Sequence, residues 1–301
     1  MALVKGTKFA DELHGTWDND SLYGGAGNDV FYASGGDDRF SGGAGWDRID
    51  YSSYAGRLSI VLNGSGKSGV YANGRLHDTL ISIEEITGGS GDDYFVGNAY
   101  DNIFSGGAGH DYFVASAGND AYRGGGGYDM LDFSAIKAGL RFEINAANGV
   151  TSVRYAGGGL NTMSSIENII GTKFGDVIKG DGADNYFRGE GGNDRLSGGA
   201  GGDVLNGGAG KDKLTGGADA DIFEFVTGFG RDTITDFNAR GSDHDILDLS
   251  GVASLDNLQQ LLDDHRIYQS GNNVVINAAK GDVIVLKNVD IADLTASDFL
   301  F

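Results

Sequence analysis

Along much of this chain a single large apolar residue recurs at every ninth position, separated by stretches in which almost nothing is hydrophobic. Reading in nines from Gly6, the units are GTKFADELH, GTWDNDSLY, GGAGNDVFY, ASGGDDRFS and GGAGWDRID. A second run begins at Gly88 with GGSGDDYFV, GNAYDNIFS, GGAGHDYFV, ASAGNDAYR and GGGGYDMLD. A third begins at Gly171 with GTKFGDVIK, GDGADNYFR, GEGGNDRLS, GGAGGDVLN, GGAGKDKLT and GGADADIFE. Across these sixteen units the eighth position is always Leu, Ile, Phe or Tyr, and the sixth is Asp except at Asn102 and Asn185. A flexible glycine-rich linker has no reason to keep two positions in phase, so the pattern marks a solenoid of repeated coils.

The elements follow from the unit. Glycines at positions 1, 2 and 4 allow positive φ and close backbone approach, so the first six residues can turn tightly. The last three suffice for a very short strand whose middle residue points inward. Turn, strand, turn and strand then close one coil in eighteen residues, and coils stack at the inter-strand spacing of about 4.8 Å. Turns of units n and n+2 therefore lie side by side, and their position-6 carboxylates converge with turn carbonyls. Such crowding is unfavourable unless a cation intervenes. Oxygen-only ligands on a flexible loop suit Ca²⁺ better than Zn²⁺ or Mg²⁺.

A longer period overlies the nines. The first two runs leave alike through Asp50-Tyr51-Ser52 and Asp132-Phe133-Ser134, 82 residues apart. Each is followed by a non-repetitive segment with an alternating apolar stretch that predicts a strand: Leu58, Ile60 and Leu62, then Leu140, Phe142 and Ile144. Both segments close with Ser-Ile-Glu. The expected organisation is a roll over 1–53, an insert over 54–87, a roll over 88–134, an insert over 135–170, a roll over 171–225 and a cap over 226–301. In the last segment, leucines 255, 258, 261 and 262 predict one helix face within 253–268, and "NVVINAAKGDVIVLKNV" predicts a hairpin.

Composition sharpens this picture. There are 54 glycines, but also 16 Phe and 13 Tyr, too many aromatic residues for a solvated linker. The absence of cysteine excludes disulfides and zinc–thiolate sites. The formal net charge of −21 argues against nucleic acid and anionic membranes and for cations. No apolar run is long enough to span a bilayer, and MALVKGTKFADELHG lacks the apolar core of a secretory signal. Neither His-Glu-x-x-His nor Gly-x-Ser-x-Gly occurs, and the histidines at 14, 77, 110, 244 and 265 read as surface residues. No catalysis is expected.

The glycine–aspartate units resemble the RTX (repeats-in-toxin) nonapeptides. The resemblance implies an all-β, parallel β-roll that binds calcium through aspartate side chains and turn carbonyls. Carried over by motif, the pairs are Asp11–Asp29, Asp20–Asp38, Asp29–Asp47, Asp93–Asp111, Asn102–Asp120, Asp111–Asp129, Asp176–Asp194, Asn185–Asp203, Asp194–Asp212 and Asp203–Asp221. The carbonyl ligands implied are those of Gly24, Gly25 and Gly27; Gly42, Gly43 and Gly45; Gly106, Gly107 and Gly109; Gly124, Gly125 and Gly127; Gly198, Gly199 and Gly201; and Gly207, Gly208 and Gly210. Ten divalent ions would carry +20 against the formal −21. Asn102 and Asn185 lack the charge, and the units of Asp11 and Asp20 lack glycine at position 4.

Asp232, Asp236 and Asp245 resemble ligands of a capping ion, and the terminal Asp298-Phe299-Leu300-Phe301 resembles the signal of type I secretion substrates. The implied role is a secreted, extracellular or cell-surface protein that folds on calcium and acts as a matrix binding or adhesion module. A self-assembling surface-layer or filament subunit and a polysaccharide-active enzyme built on the inserts are the alternatives. Trp46 and Tyr128 close the first two runs at position 5, facing outward, either to contact a saccharide or protein or to staple the insert to the roll.

Overall fold

A short strand needs neighbours on both sides, and the nonapeptide supplies them at a fixed interval. In a computed structural model of the chain, residues 1–64, 66–144, 150–155, 159–253, 255, 257–279 and 281–301 are described. Positions 7–9 form strands such as Val30–Tyr32 and Tyr112–Val114, each with a buried centre and half-buried flanks. Pairing is parallel with a step of eighteen: Leu22 opposite Phe40, Phe31 opposite Ile49, Phe95 opposite Phe113, Leu196 opposite Leu214. The protein is an all-β parallel roll.

The turns differ from the expectation in one respect. In several units the strand continues through the next Gly-Gly-Ala, giving six-residue strands at Ser21–Ala26, Arg39–Ala44, Ile103–Ala108 and Lys213–Ala218. Positions 1–3 of those units are therefore paired backbone rather than turn. Gly25 (φ 113°) and Gly43 (φ 115°) stack there, and a Cβ on Gly43 would collide with the Gly25 carbonyl. Only glycine has access to that conformation without strain.

The core is a ladder of position-8 side chains. Phe95 stacks on Phe113 at 5.0 Å and packs on Phe104 at 5.4 Å, and Phe104 packs on Tyr122 at 6.0 Å. Offset ring pairs at these separations add to the area they bury. One inward side chain per nine residues nevertheless makes a thin core.

The chain divides into two compact units, residues 1–132 with 152–166, and residues 133–151 with 167–301. In the first, the segment 54–87 is spliced into one sheet. Arg75–Ile81 runs parallel to Arg39–Ala44, Ser68–Ala72 is antiparallel, and Leu58–Val61 runs parallel to Tyr94–Val96. The facing sheet passes it by, with Arg48–Asp50 pairing directly with Glu85–Thr87. Leu160–Ser164 extends that second sheet beside Ala121–Gly126. In the second unit Arg141–Glu143 pairs with Val177–Lys179. Residues 145–149 and 156–158 of the 135–170 segment lie outside the described residues.

The end of the second unit breaks the step: Leu214 faces Ile234 twenty residues on, and Phe223 faces Leu247 twenty-four on. The expected hairpin forms from Asn273–Ala279 and Asp282–Lys287, although residue 280 at its turn is not described. Ile267–Ser270 joins it as a third strand. The helix is shorter than the leucine spacing predicts, only Leu258–Asp263, and residues 254 and 256 of the predicted stretch are not described. Asn257 starts it by accepting the Gln260 N–H at 2.9 Å, and Ile267 leaves it to pair with Ile276. Leu261 is buried but Leu262 is exposed. Phe299–Leu300 pairs with the strand Ile246–Gly251.

Candidate metal centre

Each position-6 residue sits where a turn enters its strand, and the eighteen-residue step places it beside the next. The ten pairs are all in contact, but through backbone rather than carboxylate to carboxylate. The N–H of the earlier member donates to Oδ1 of the later one, at 2.9 Å for Asp11 to Asp29, 2.7 Å for Asp20 to Asp38 and 2.9 Å for Asp29 to Asp47. The same bond joins Asp93 to Asp111 and Asp111 to Asp129 at 2.8 Å, and Asn102 to Asp120 at 2.9 Å. It joins Asp176 to Asp194 at 2.7 Å, Asn185 to Asp203 and Asp194 to Asp212 at 2.8 Å, and Asp203 to Asp221 at 2.9 Å.

The ladder does not stop where the nonapeptides stop. Asp38 donates to Asp78 Oδ1 (2.8 Å), Asp47 to Glu84 Oε2 (2.9 Å) and Asp120 to Asn161 Oδ1 (2.7 Å). At the far end Asp212 donates to Asp232 Oδ1 (2.9 Å) and Asp221 to Asp245 Oδ1 (3.0 Å). Asp236 accepts from Gly216 N–H at 3.1 Å and stands apart from the ladder. The sequence reading missed Asp78, Glu84 and Asn161. Their signal was present: Asp78-Thr79-Leu80 and Asn161-Thr162-Met163 repeat the spacing of positions 6–8, each just ahead of Ser-Ile-Glu.

The other carboxylate oxygen sorts the turns into two kinds. In the units of Asp29, Asp47, Asp111, Asp203, Asp212 and Asp221, all with glycine at position 2, Oδ2 is buried and has no hydrogen-bond partner. The same holds for Asp194 and Asp232 Oδ2 and for Asn185 Oδ1. Where position 2 is Ser or Thr, the hydroxyl donates to the carboxylate: Thr7 to Asp11 (2.9 Å), Thr16 to Asp20 (2.7 Å), Ser34 to Asp38 (3.0 Å), Ser116 to Asp120 (2.8 Å) and Thr172 to Asp176 (3.1 Å). Asp93 is satisfied by the Gly89 N–H at 2.9 Å and Asn102 by that of Asn98 at 3.1 Å. The hydroxyl units stand at the start of the chain's stack or next to the 54–87 and 135–170 segments, where a coil has no regular neighbour.

A buried carboxylate with one oxygen unpartnered resists ionisation. Burial pushes Asp111, Asp203 and Asp221 up to about 7 and Asp194 up to about 8, with neighbouring aspartates adding to the shift. Asp212 and Asp232 titrate as a pair, both shifted upward by burial. Asp20 lies below its usual value because the Ala2 amide and the Thr16 hydroxyl donate to it.

The unpartnered oxygens face the position-1 glycine of their own unit. A Cβ on Gly207 would lie 2.5 Å from Asp212 Oδ2, and one on Gly189 would lie 2.5 Å from the Gly207 carbonyl. The carbonyls of Gly42 and Gly124 approach Gly24 and Gly106 in the same way, at 2.7 and 2.8 Å from a Cβ placed there, and those of Gly24, Gly106 and Gly198 approach Gly6, Gly88 and Gly180. At Gly24, Gly106 and Gly189 a carboxylate oxygen of Asp29, Asp111 or Asp194 and a carbonyl oxygen thus share a hollow that any side chain would fill. This hard-oxygen donor set fits Ca²⁺. The position-2 carbonyls of Gly25, Gly107 and Gly199, and the position-4 carbonyls of Gly27 and Gly109, face the corresponding glycines two units on instead. Among the described residues no three acidic or histidine side chains converge.

Position 5 carries a second ladder running the opposite way. Asn28 Oδ1 accepts the Trp46 N–H (3.0 Å), Asp92 accepts that of His110 (2.7 Å), and His110 Nδ1 accepts that of Tyr128 (2.9 Å). Trp46 is half-buried, with Nε1 3.4 Å from Glu85 Oε2. Tyr128 is exposed and stacks on His110 at 5.9 Å.

A family model described as the RTX calcium-binding nonapeptide repeat, in four copies, matches residues 3–31, 25–53, 85–99, 96–131, 161–196, 170–205, 188–223 and 197–234, more than half of the chain. The chain belongs to the RTX calcium-binding repeat family. As an RTX repeat protein it binds calcium, and its many repeats imply many ions. No curated protein matches it. Among solved structures, the extracellular lipase LipA from Serratia marcescens is similar over 72% of this RTX chain and 40% of its own, at 20% identity and a TM-score of 0.34. The RTX chain thus spans well under half the length of that lipase.

Proposed function

We propose that this RTX protein is a secreted binding module whose roll folds on calcium outside the cell. The observation that carries the reading is the set of buried, unpartnered carboxylate oxygens in glycine hollows. A fold that leaves such groups unpaired is costly, and a divalent cation supplies the missing partner. Asp29, Asp47, Asp111, Asp194, Asp203, Asp212, Asp221 and Asp232 would hold the ions, with the carbonyls of Gly42, Gly124 and Gly207 beside Asp29, Asp111 and Asp194. Asp11, Asp20, Asp38, Asp120 and Asp176 already have hydroxyl donors and would contribute less. Bound calcium supplies positive charge between stacked carboxylates, and the protein's own part is to orient those oxygens and exclude water from them.

Export by a type I system, with the C-terminal residues as its signal, fits this chemistry. Extracellular calcium modules commonly bind at about 10⁻⁴–10⁻³ M, far above cytosolic levels, so the chain would stay unfolded until it emerges. The role outside the cell is adhesion to a matrix or surface component. Circular dichroism in chelator and in millimolar calcium tests the coupling: β structure should appear only with calcium at neutral pH. A fully β-structured chain in chelator at pH 7.5 would refute it.

A further inference from the structure

The two inserts begin with equivalent residues, so the second serves as an internal control for the first. In the first unit, where residues 54–87 leave the column of turns, a cavity of 730 Å³ opens between Thr16, Trp17, Ser34 and Gly35 on one side and Tyr51, Tyr54, Leu58 and His77 on the other. This lies within the range of pockets that hold small organic ligands. The Trp17 indole lies over Gly35, where a Cβ would approach it to 2.8 Å, yet the side chain remains 91% exposed. Tyr54 and His77 meet edge to face at 6.0 Å. Tyr51 is buried and donates its hydroxyl to Asp78 at 2.9 Å.

At the matching places in the second copy the chain carries Ala99 for Trp17, Ala117 for Gly35, Ile136 for Tyr54 and Leu160 for His77. Leu58 and Ser34 keep their identity as Leu140 and Ser116. The framework is repeated and the rings and imidazole are not. Building a roll with an insert therefore does not require them.

The electrostatics restrict the ligand. Among the described residues no lysine or arginine lines the cavity, and its one basic group, the His77 imidazole, lies against Asp78 at 2.8 Å, so an anion meets no free positive charge there. The nearby acids are committed: Asp20 to Thr16, Asp38 to Ser34, and Asp78 to Tyr51, with His77 Nδ1 also 2.8 Å from Asp78. Each of these carboxylates thus already accepts a hydroxyl. What remains is the exposed Trp17 face and the half-buried Tyr54 ring beside hydroxyl and imidazole groups, which match a molecule with flat C–H faces and neutral hydroxyls. From this geometry we propose that the cavity beside Trp17, Tyr54 and His77 binds an uncharged saccharide. The inference rests on the reading of the protein as a binding module and names the ligand class.

The test uses the full chain saturated with calcium. Laminarin, xylan and galactomannan are the neutral probes, alginate is the anionic one and choline the cationic one, each titrated calorimetrically. Trp17→Ala, Tyr54→Ile and His77→Leu install the residues of the second copy, which its own framework accommodates. At least one neutral glycan should bind, and each substitution should weaken it about tenfold, the scale of a lost ring contact. Binding of no neutral glycan, preference for choline or alginate, or unchanged binding by the triple variant would overturn the proposal. Circular dichroism on the same samples separates this from failure of calcium-coupled folding, which would appear as β structure indifferent to calcium.

Discussion

Asp203→Asn and Asp38→Asn change the same atoms in two turns that differ in what faces the second oxygen. Asp203 accepts the Asn185 N–H at 2.8 Å on Oδ1 and leaves Oδ2 without a partner. Asp38 accepts from Asp20 at 2.7 Å and from Ser34 at 3.0 Å. An asparagine keeps the Oδ1 acceptor in both. Weakening a charge-assisted bond to a neutral one costs about 1 kcal/mol in either turn. With calcium tenfold above its dissociation constant, Asp203→Asn also forfeits an ion worth about 1.4 kcal/mol, for a total of about 2.4 kcal/mol. In chelator at pH 5 the difference fades. Asp203, pushed up to about 7 by burial, is protonated there, so the amide replaces a neutral acid and the loss should shrink towards zero. Asp38→Asn should cost about 1 kcal/mol in calcium, with no added ion contribution. Urea unfolding under both conditions measures this, with bound calcium counted by equilibrium dialysis. Equal losses of stability and of calcium for the two variants in millimolar calcium would refute the division of turns by their second residue.

Two further outcomes follow from the same geometry. Asp111, Asp194, Asp203 and Asp221 have folded values near 7–8, well above an unfolded value near 3.8. Protonation in the folded state therefore adds stability below that window, and the gain disappears as pH rises through about 7–8. Calcium-free protein should gain β structure between pH 8 and pH 5 by circular dichroism, and a signal that falls with acidification over this range would contradict it. Gly43→Ala places a Cβ against the Gly25 carbonyl at φ 115°, so it should destabilise the calcium-loaded roll by at least 1–2 kcal/mol in urea; Ala44→Ser, one residue on at an exposed site, is the neutral comparison.

The roll itself was legible because its two determinants, the inward residue and the turn aspartate, obey one period. Phe31, Phe40, Phe95 and Phe113 are fully buried at the positions the period assigns. The splice of 54–87 into a sheet was not legible. Leu58 and Ile60 predict a strand, but parallel pairing with Tyr94–Val96 is fixed by contacts 35 residues away. Glu84 escaped notice because it takes over from an aspartate with a longer side chain and a different spacing. The role of Thr16 and Ser34 was hidden for a simpler reason: position 2 was read only for the turn that glycine permits, when each of these residues supplies a donor that glycine lacks.

The hydrogen-bond ladder at position 6 gives the stack a direction. Every coil offers an amide to the coil that follows and a carboxylate to the coil that precedes. Removing coils from the N-terminal side strands a carboxylate, which water can solvate at a newly exposed face. Removing them from the C-terminal side strands backbone N–H donors instead, as would happen to Asp212 and Asp221 without Asp232 and Asp245. The two ends are therefore not interchangeable: one presents carboxylates and the other amide donors, which Asp232 and Asp245 meet from outside the repeat. Whatever seals such a stack must accordingly offer donors at one end and acceptors at the other.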